Sequence, residues 1–157
     1  MFVLAPSAAA AGYRLEAHES VGSTNALALE RASEGDAGRL WIVASEQTGG
    51  RGRRGRPWAT PPGNLAATLL LVDSFEAVSA ATLGFVAGLA LGDALAAVVP
   101  SAHVSVGLDG AHEKGGRNRF ELKWPNDVLA DGAKLACILL ASFALDVGRL
   151  SLAIVIG

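Results

Sequence analysis

At 157 residues, 51% apolar and 18% charged, the chain has the length and composition of one domain with a real core, which excludes disorder over most of its length. The formal net charge is −2, so the protein as a whole does not attract polyanions. A single cysteine, Cys137, excludes a disulfide framework and a Cys-based zinc site, and His18, His103 and His112 show no metal-ligand spacing.

In chain order, the first 14 residues, MFVLAPSAAAAGYR, carry small residues like a signal cleavage region. They lack a basic n-region and a long apolar segment, so they do not read as an export signal. SVGSTNALALERASEG, residues 20–35, predicts a turn feeding a helix, with Ser23 or Thr24 as N-cap, Ala26, Leu27 and Leu29 opening the apolar face, and Gly35 as the stop. RLWIVASEQ predicts a buried strand, and NLAATLLLV a second one after the Pro61-Pro62-Gly63 turn. Roughly 20 residues without periodicity lie between them, a length that in a compact domain marks a functional or disordered loop.

Residues 77–99 carry one charge, Asp93, over a length that nominally spans a bilayer. Their Ala/Gly composition and the lack of a basic flank favour a buried core helix, with Gly84, Gly88 and Gly92 forming a smooth stripe for close approach. Residues 101–119 read as a polar, Gly-rich surface loop. FELKW predicts a short strand, PND a turn, and VLADGAKLACILLASFAL a hairpin turning at a type I′ Asp131-Gly132 pair. SLAIVIG is a last apolar strand, and the chain reaches Gly157 with no polar cap after it. The order helix, strands, helix, strands predicts one α+β domain over residues 1–157, a mixed or antiparallel sheet backed by helices.

Three stretches carry chemistry. QTGGRGRRGRPW, residues 47–58, places Arg51, Arg53, Arg54 and Arg56, four of the 13 basic residues, on six positions threaded with glycine. A Walker phosphate loop would need a Lys followed by a hydroxyl residue, and neither is present. An RGG-like nucleic-acid segment would be longer and bring more stacking aromatics than Trp58, while a solvated basic loop remains the plain alternative. The third reading is a loop that folds over a small anion: glycines free the backbone to wrap, and guanidinium forks hold carboxylate or phosphate oxygens in pairs. Without ligand the like charges would repel and leave the loop mobile; with ligand it would close and exclude water. KWPND, residues 123–127, sets Asn126 and Asp127 after a Lys, an aromatic and a fixed turn, fit either for a purine, a ribose or a metal-bound phosphate, or for a plain Asx turn. Lys134 opens the second strand of the hairpin, as an exposed strand-end lysine or as an ammonium facing an anion.

Taken together, GSTN at 22–25, QTGGRGRRGRPW, KWPND and GAKLA at 132–136, in that order, resemble the biotin protein ligase family, from about residue 20 to residue 157. Lipoate ligases are similar in fold, but their double Arg followed by Ser and several Gly is not what this loop spells. The resemblance implies a class II aminoacyl-tRNA synthetase-like catalytic domain and a two-step ligation. Biotin would be activated with ATP and Mg2+ to biotinyl-5′-AMP, then transferred to a lysine of a biotin carboxyl carrier domain. It implies biotin contacts from Ser23, Thr24, Asn25, Gln47, Gly50, Arg51, Gly52, Arg53 and Lys134, with Lys134, Arg51 and Arg53 as the catalytic set. Nucleotide contacts would come from Arg53, Arg54, Trp58, Lys123, Asn126 and Asp127; beyond ATP-borne Mg2+ no metal ligand is implied.

Departures from the family pattern are Cys137 for its usual Gly, Ala141 for its usual Glu, and Ala66 for a common aromatic. The family's N-terminal winged helix and C-terminal β-barrel find no counterpart, so the expectation is a catalytic domain, cut short at its C-terminus or naturally abbreviated, without a repressor role. It would be cytoplasmic, monomeric or homodimeric, and would bind neither nucleic acid nor membrane. A catalytically impaired biotin-binding relative and a lipoate or octanoate ligase are the alternatives.

Overall fold

The computed structural model describes residues 1–74, 77–99, 103–107, 119–123, 126–144 and 151–156. These fall into two compact units, Met1–Ala81 with Leu139–Gly157, and Thr82–Ile138.

The first unit holds a five-stranded mixed sheet. After a short helix, α1 (Pro6–Ala10), β1 (Arg14–Val21) runs parallel to β2 (Leu40–Gln47), the two joined through α2 (Thr24–Ser33). β3 (Ala66–Ser74) returns antiparallel to β2 and pairs on its other side with β9 (Ser151–Ile156), which in turn pairs with β8 (Leu140–Ala144). The strands predicted over RLWIVASEQ, NLAATLLLV and SLAIVIG are β2, β3 and β9, and α2 starts and stops where its caps predict. β1 escapes the sequence reading because its alternation is masked by charge: RLEAHESV is an edge strand in which half the residues are exposed and none is fully buried.

The core of this unit lies between α2 and the sheet. Ala28 and Ala32, four apart on one helix face, meet Leu40, Ile42 and Leu70, with Leu27, Leu29 and Val72 packed around them. Ile42 and Leu70 are fully enclosed, and each such side chain contributes about 1.5–3 kcal/mol through burial. Small alanines let the helix lie close on the β-branched and leucine surface. Glu16 of β1 adds a polar tie across the same layer, accepting from Arg31 of α2 at 2.9 and 3.1 Å and meeting His18 at 2.9 Å.

The second unit carries a four-stranded sheet in the order β4 (His103–Gly107), β5 (Arg119–Lys123), β6 (Asp127–Ala130), β7 (Ala133–Cys137). β4 lies inside the stretch read as a surface loop: His-Val-Ser-Val-Gly alternates with period 2, and its parallel partner is a strand that begins twelve residues beyond its end. Residues 108–118 of that predicted loop lie outside the described residues. The β6–β7 hairpin turns as expected, with Asp131 and Gly132 at φ 48° and 82°, both in the left-handed region that a type I′ turn requires. Its second strand is shorter than predicted. β7 ends at Cys137, and the apolar run continues as β8 in the five-stranded sheet.

The Ala/Gly stretch forms one helix, α3 (Ala77–Val98). Gly88 is buried, and a Cβ there would lie 3.8–3.9 Å from Ile138 and Leu122, so the glycine stripe serves close approach at that turn. The expectation of a buried helix is corrected. Phe85, Val86 and Leu89 are 57%, 55% and 60% exposed, because the stripe of small residues, not the bulky apolar side chains, turns inward. By length and composition Val78–Val98 is apolar enough to cross a membrane.

The Glu16 contacts set a pH dependence. The Arg31 guanidinium, with a smaller contribution from His18, holds the Glu16 carboxyl below its ordinary value. A depressed carboxylate contributes stability that is present above its unfolded pKa and is lost as pH falls through the folded one. Melting temperatures of wild type and Glu16→Gln should therefore differ at pH 6 and converge as pH is lowered below the ordinary range of a glutamate; a constant gap would contradict the assignment.

Candidate active site

The sequence-predicted site residues fall in both units. In the first, they gather at the start of α2. Ser23, in extended backbone, caps the helix by accepting from the Ala26 amide at 3.4 Å. Thr24, 3% exposed, donates its backbone N–H at 2.8 Å and its hydroxyl at 3.0 Å to the same Gln47 Oε1 at the end of β2. Two donors of the first helical turn are thus satisfied, one locally and one from a strand 23 residues on. The Gln47 amide donates in turn to the buried Thr60 hydroxyl at 3.3 Å.

Thr68, on β3, was missed by the sequence reading. It is fully buried and its hydroxyl lies 2.8 Å from Thr24 Oγ1 and 2.5 Å from Asn25 Oδ1. One signal was available: a hydroxyl in the inward row Ala66, Thr68, Leu70, where the alternation calls for an apolar side chain.

The Arg/Gly stretch leaves Gln47 and folds back on itself. Its base is stapled to the end of β1 and the turn before α2, with Thr48 N–H donating to Val21 O at 2.9 Å and Gly49 N–H to Gly22 O at 2.7 Å. Above that, Trp58 N–H donates to Gly50 O at 2.9 Å, Arg51 bridges Pro57, and Gly52 N–H donates to Arg56 O at 2.7 Å. A 3-10 turn, Arg53–Gly55, closes the tip, with Arg54 at φ 59°. Gly50 cannot be replaced without a shift: a Cβ there would lie 2.5 Å from the Trp58 carbonyl oxygen. Arg51, Arg53, Arg54, Arg56 and Trp58 are all exposed, so the narrow hairpin presents four guanidinium groups outward. Such an array offers paired donors to a carboxylate or phosphate.

The second unit assembles Lys123, Asn126, Asp127 and Lys134. Lys123 ends β5 directly opposite Asp127 of β6, and Asp127 opposite Cys137 of β7. Trp124 and Pro125, between them, lie outside the described residues. The Asn126 carbonyl accepts from the Ile138 N–H at 2.7 Å and its side-chain amide donates to Cys137 Sγ at 3.0 Å. Lys134 Nζ lies 2.9 Å from Asp127 Oδ1, an ion pair across the β6–β7 hairpin.

A β-bulge makes that pairing available. Val128 faces Ala136, yet its neighbour Leu129 faces Lys134, so Leu135 is the extra residue. In a regular ladder Lys134 would share a face with buried Val128; the bulge moves it to the face of Asp127 and Cys137. Burial pushes the Cys137 thiol above its ordinary value, the nearby Asp127 carboxylate adding to the effect while Lys134 opposes it. Among the described residues no group of three or more His, Cys, Asp or Glu is placed to hold a metal.

Each unit thus presents uncharged polar side chains beside cationic ones. Mixed sheets backed by helices, with a Gly/Arg hairpin beside a capped helix, have the fold of biotin protein ligase catalytic domains, consistent with a class II aminoacyl-tRNA synthetase-like fold. Residues 18–157 match the biotin/lipoate A/B protein ligase family, and the chain belongs to it.

Relatives agree. The chain is 46% identical over 136 residues to a biotin--[acetyl-CoA-carboxylase] ligase of Paracoccus denitrificans, covering 86% of this chain and 50% of that protein. It is 37% identical to the enzyme of the same name from Mycobacterium tuberculosis, covering 83% and 46%. A crystal structure of biotin protein ligase from Leishmania major in complex with biotinyl-5-AMP matches with TM-score 0.61 and 30% identity, over 92% of this chain and 55% of that one. The Aquifex aeolicus ligase in complex with biotin and ATP matches with TM-score 0.59 and 27% identity, over 91% and 50%. The chain spans about half the length of these relatives.

The hairpin geometry is open to test. Gly50→Ala should separate the Gly50–Trp58 pairing, cost about 1–3 kcal/mol by overpacking, and raise the rate of tryptic cleavage after Arg51, Arg53 and Arg54. Unchanged cleavage would mean the Trp58 carbonyl yields without cost.

Proposed function

We propose that the chain is the catalytic part of an ATP-dependent biotin protein ligase. The observation that carries this reading is the staple between Gly49 and Gly22: it joins the uncharged polar side chains at the start of α2, Ser23, Thr24 and Asn25, with Gln47 bonded to Thr24, to a hairpin of four arginines. A ligand with an uncharged hydrogen-bonding head and a carboxylate tail meets both. Ser23, Thr24, Asn25 and Gln47 suit the ureido head of biotin; Gly50, Arg51, Gly52 and Arg53 suit its carboxylate and the phosphate that joins it.

In the first step a biotin carboxylate oxygen attacks the α-phosphorus of ATP, a C–O–P anhydride forms, and the bond to the β-phosphate breaks to release pyrophosphate. The residues contribute charge and position more than covalent chemistry. In the first unit Arg51 and Arg53 would neutralise the oxygens on which charge accumulates, and Arg54 and Trp58 would contact the nucleotide; in the second, Lys134 would neutralise that charge and Lys123, Asn126 and Asp127 would contact the nucleotide. ATP-borne magnesium, a hard cation suited to carboxylate and phosphate oxygens, would supply charge neutralisation on the triphosphate, and Asp127 is the carboxylate that would hold it, in exchange for its ion pair with Lys134.

In the second step the amine of a target lysine attacks the acyl carbon, loses its proton, and displaces AMP. The partner of this chemistry is the biotin carboxyl carrier domain of a biotin-dependent carboxylase, and the single cysteine accords with a cytoplasmic setting.

One observation favours a second reading. The Cys137 thiol engages Asn126, a residue assigned to the nucleotide, and so favours a relative that binds biotin but turns over poorly. Incubation with labelled ATP and biotin separates the two: pyrophosphate and biotinyl-AMP support the ligase, and biotin binding without either supports the impaired relative. Displacement of biotin by octanoate would move the assignment to the lipoate side of the family.

For an active ligase, Arg51→Ala and Lys134→Ala should each slow adenylate formation about 10²- to 10³-fold through lost charge stabilisation. Single-turnover rates equal to wild type would remove both residues from the catalytic set.

A further inference from the structure

We infer that Thr68 is a positioning residue of the ligand pocket, acting through Thr24 and Asn25. The inference rests on the assignment of those two residues to ligand recognition, and deepens it by naming what fixes their side chains.

The position is costly for a hydroxyl. Thr68 stands directly opposite Ile42 in the β2–β3 ladder and in the row of Ala66 and Leu70, all buried. Valine has the same shape and high strand propensity, and in such a row it would avoid burying a polar group. What the hydroxyl adds is contact with two residues 44 and 43 positions earlier in the chain.

A threonine has one proton and two acceptor lone pairs. Asn25 Oδ1, at 2.5 Å, carries no proton, so the Thr68 proton goes to it. The Thr24 hydroxyl, 2.8 Å from the Thr68 oxygen and 3.0 Å from Gln47 Oε1, has one proton shared between those two, while the Thr24 backbone N–H holds Gln47 Oε1 in either case. The result is a chain of contacts, Asn25–Thr68–Thr24–Gln47–Thr60, that runs from the first turn of α2 through β3 to the end of β2. Within it the Asn25 amide is oriented and the Thr24 hydroxyl is committed before any ligand arrives. A pocket whose polar groups are set in advance spends no binding energy on ordering them. Remove the Thr68 hydroxyl and Asn25 loses its anchor, while the apolar packing beneath it stays filled.

Thr68→Val and Thr68→Ser test this in the whole chain. With Thr68→Val, the Kd for biotin by titration calorimetry should rise about tenfold, in line with one lost buried hydrogen bond and a freed amide. ATP affinity and melting temperature should change little, and Thr68→Ser should restore biotin binding. Equal biotin affinity in wild type and Thr68→Val would overturn the inference, as would a parallel loss for ATP, which marks a merely structural role.

A readout without ligand keeps this separate from the functional assignment. The Asn25 side-chain amide resonances and the exchange rate of the Thr24 backbone N–H should shift in Thr68→Val and return in Thr68→Ser. If wild type binds no biotin, the functional assignment fails, and these resonances alone decide whether Thr68 positions the two side chains. Should Thr68→Val not fold, Thr68→Ala removes the same hydroxyl with less bulk, and unchanged Asn25 resonances in it would overturn the inference.

Discussion

The hydrogen bonds from Thr24 to Gln47 tie the start of α2 to the end of β2. A helix start leaves backbone donors that need partners, and here one is met by a side chain at the end of the adjacent strand, 2.8 Å away. That contact fixes where α2 begins relative to β2. It also fixes where the chain leaves β2, and the Arg/Gly hairpin grows from that point. The apolar layer of Ala28, Ala32, Leu40, Ile42 and Leu70 packs α2 on the sheet, but burial is non-directional, whereas the Thr24–Gln47 hydrogen bonds need a defined distance and angle.

The hairpin itself is a compromise between charge and shape. Four guanidinium groups on six residues repel one another, and the backbone answers by pairing Gly50 with Trp58 and Gly52 with Arg56, which leaves the arginines outside. The second unit uses a different device, since a single extra residue in β7 turns Lys134 out of the buried face and toward Asp127. In both places an irregular backbone aims a cation. Regular ladders would have placed these side chains among carbons.

Much of the candidate site was legible because its signals are local. Ser23 three residues before an amide it caps, Asp131-Gly132 between two short strands, and glycines alternating with arginines all act over four residues or fewer. The membrane-length stretch was legible as a helix for the same reason. Its exposure was not, because composition averages over a helix, and Gly88 rather than Phe85 or Leu89 turned out to face Leu122 and Ile138. β1 and β4 were missed for want of an apolar pattern strong enough to stand without their partners.

By itself, then, the sequence determined the helix caps, the inward strands, the type I′ turn and the four motifs that carry the family, since each follows from steric and hydrogen-bonding rules acting between near neighbours. Only tertiary structure decided that Thr68 meets Thr24 and Asn25, that Lys134 faces Asp127, and that Asn126 meets Cys137. Those meetings depend on strand register, and register is fixed by the summed packing of whole elements, so no short window of residues contains it.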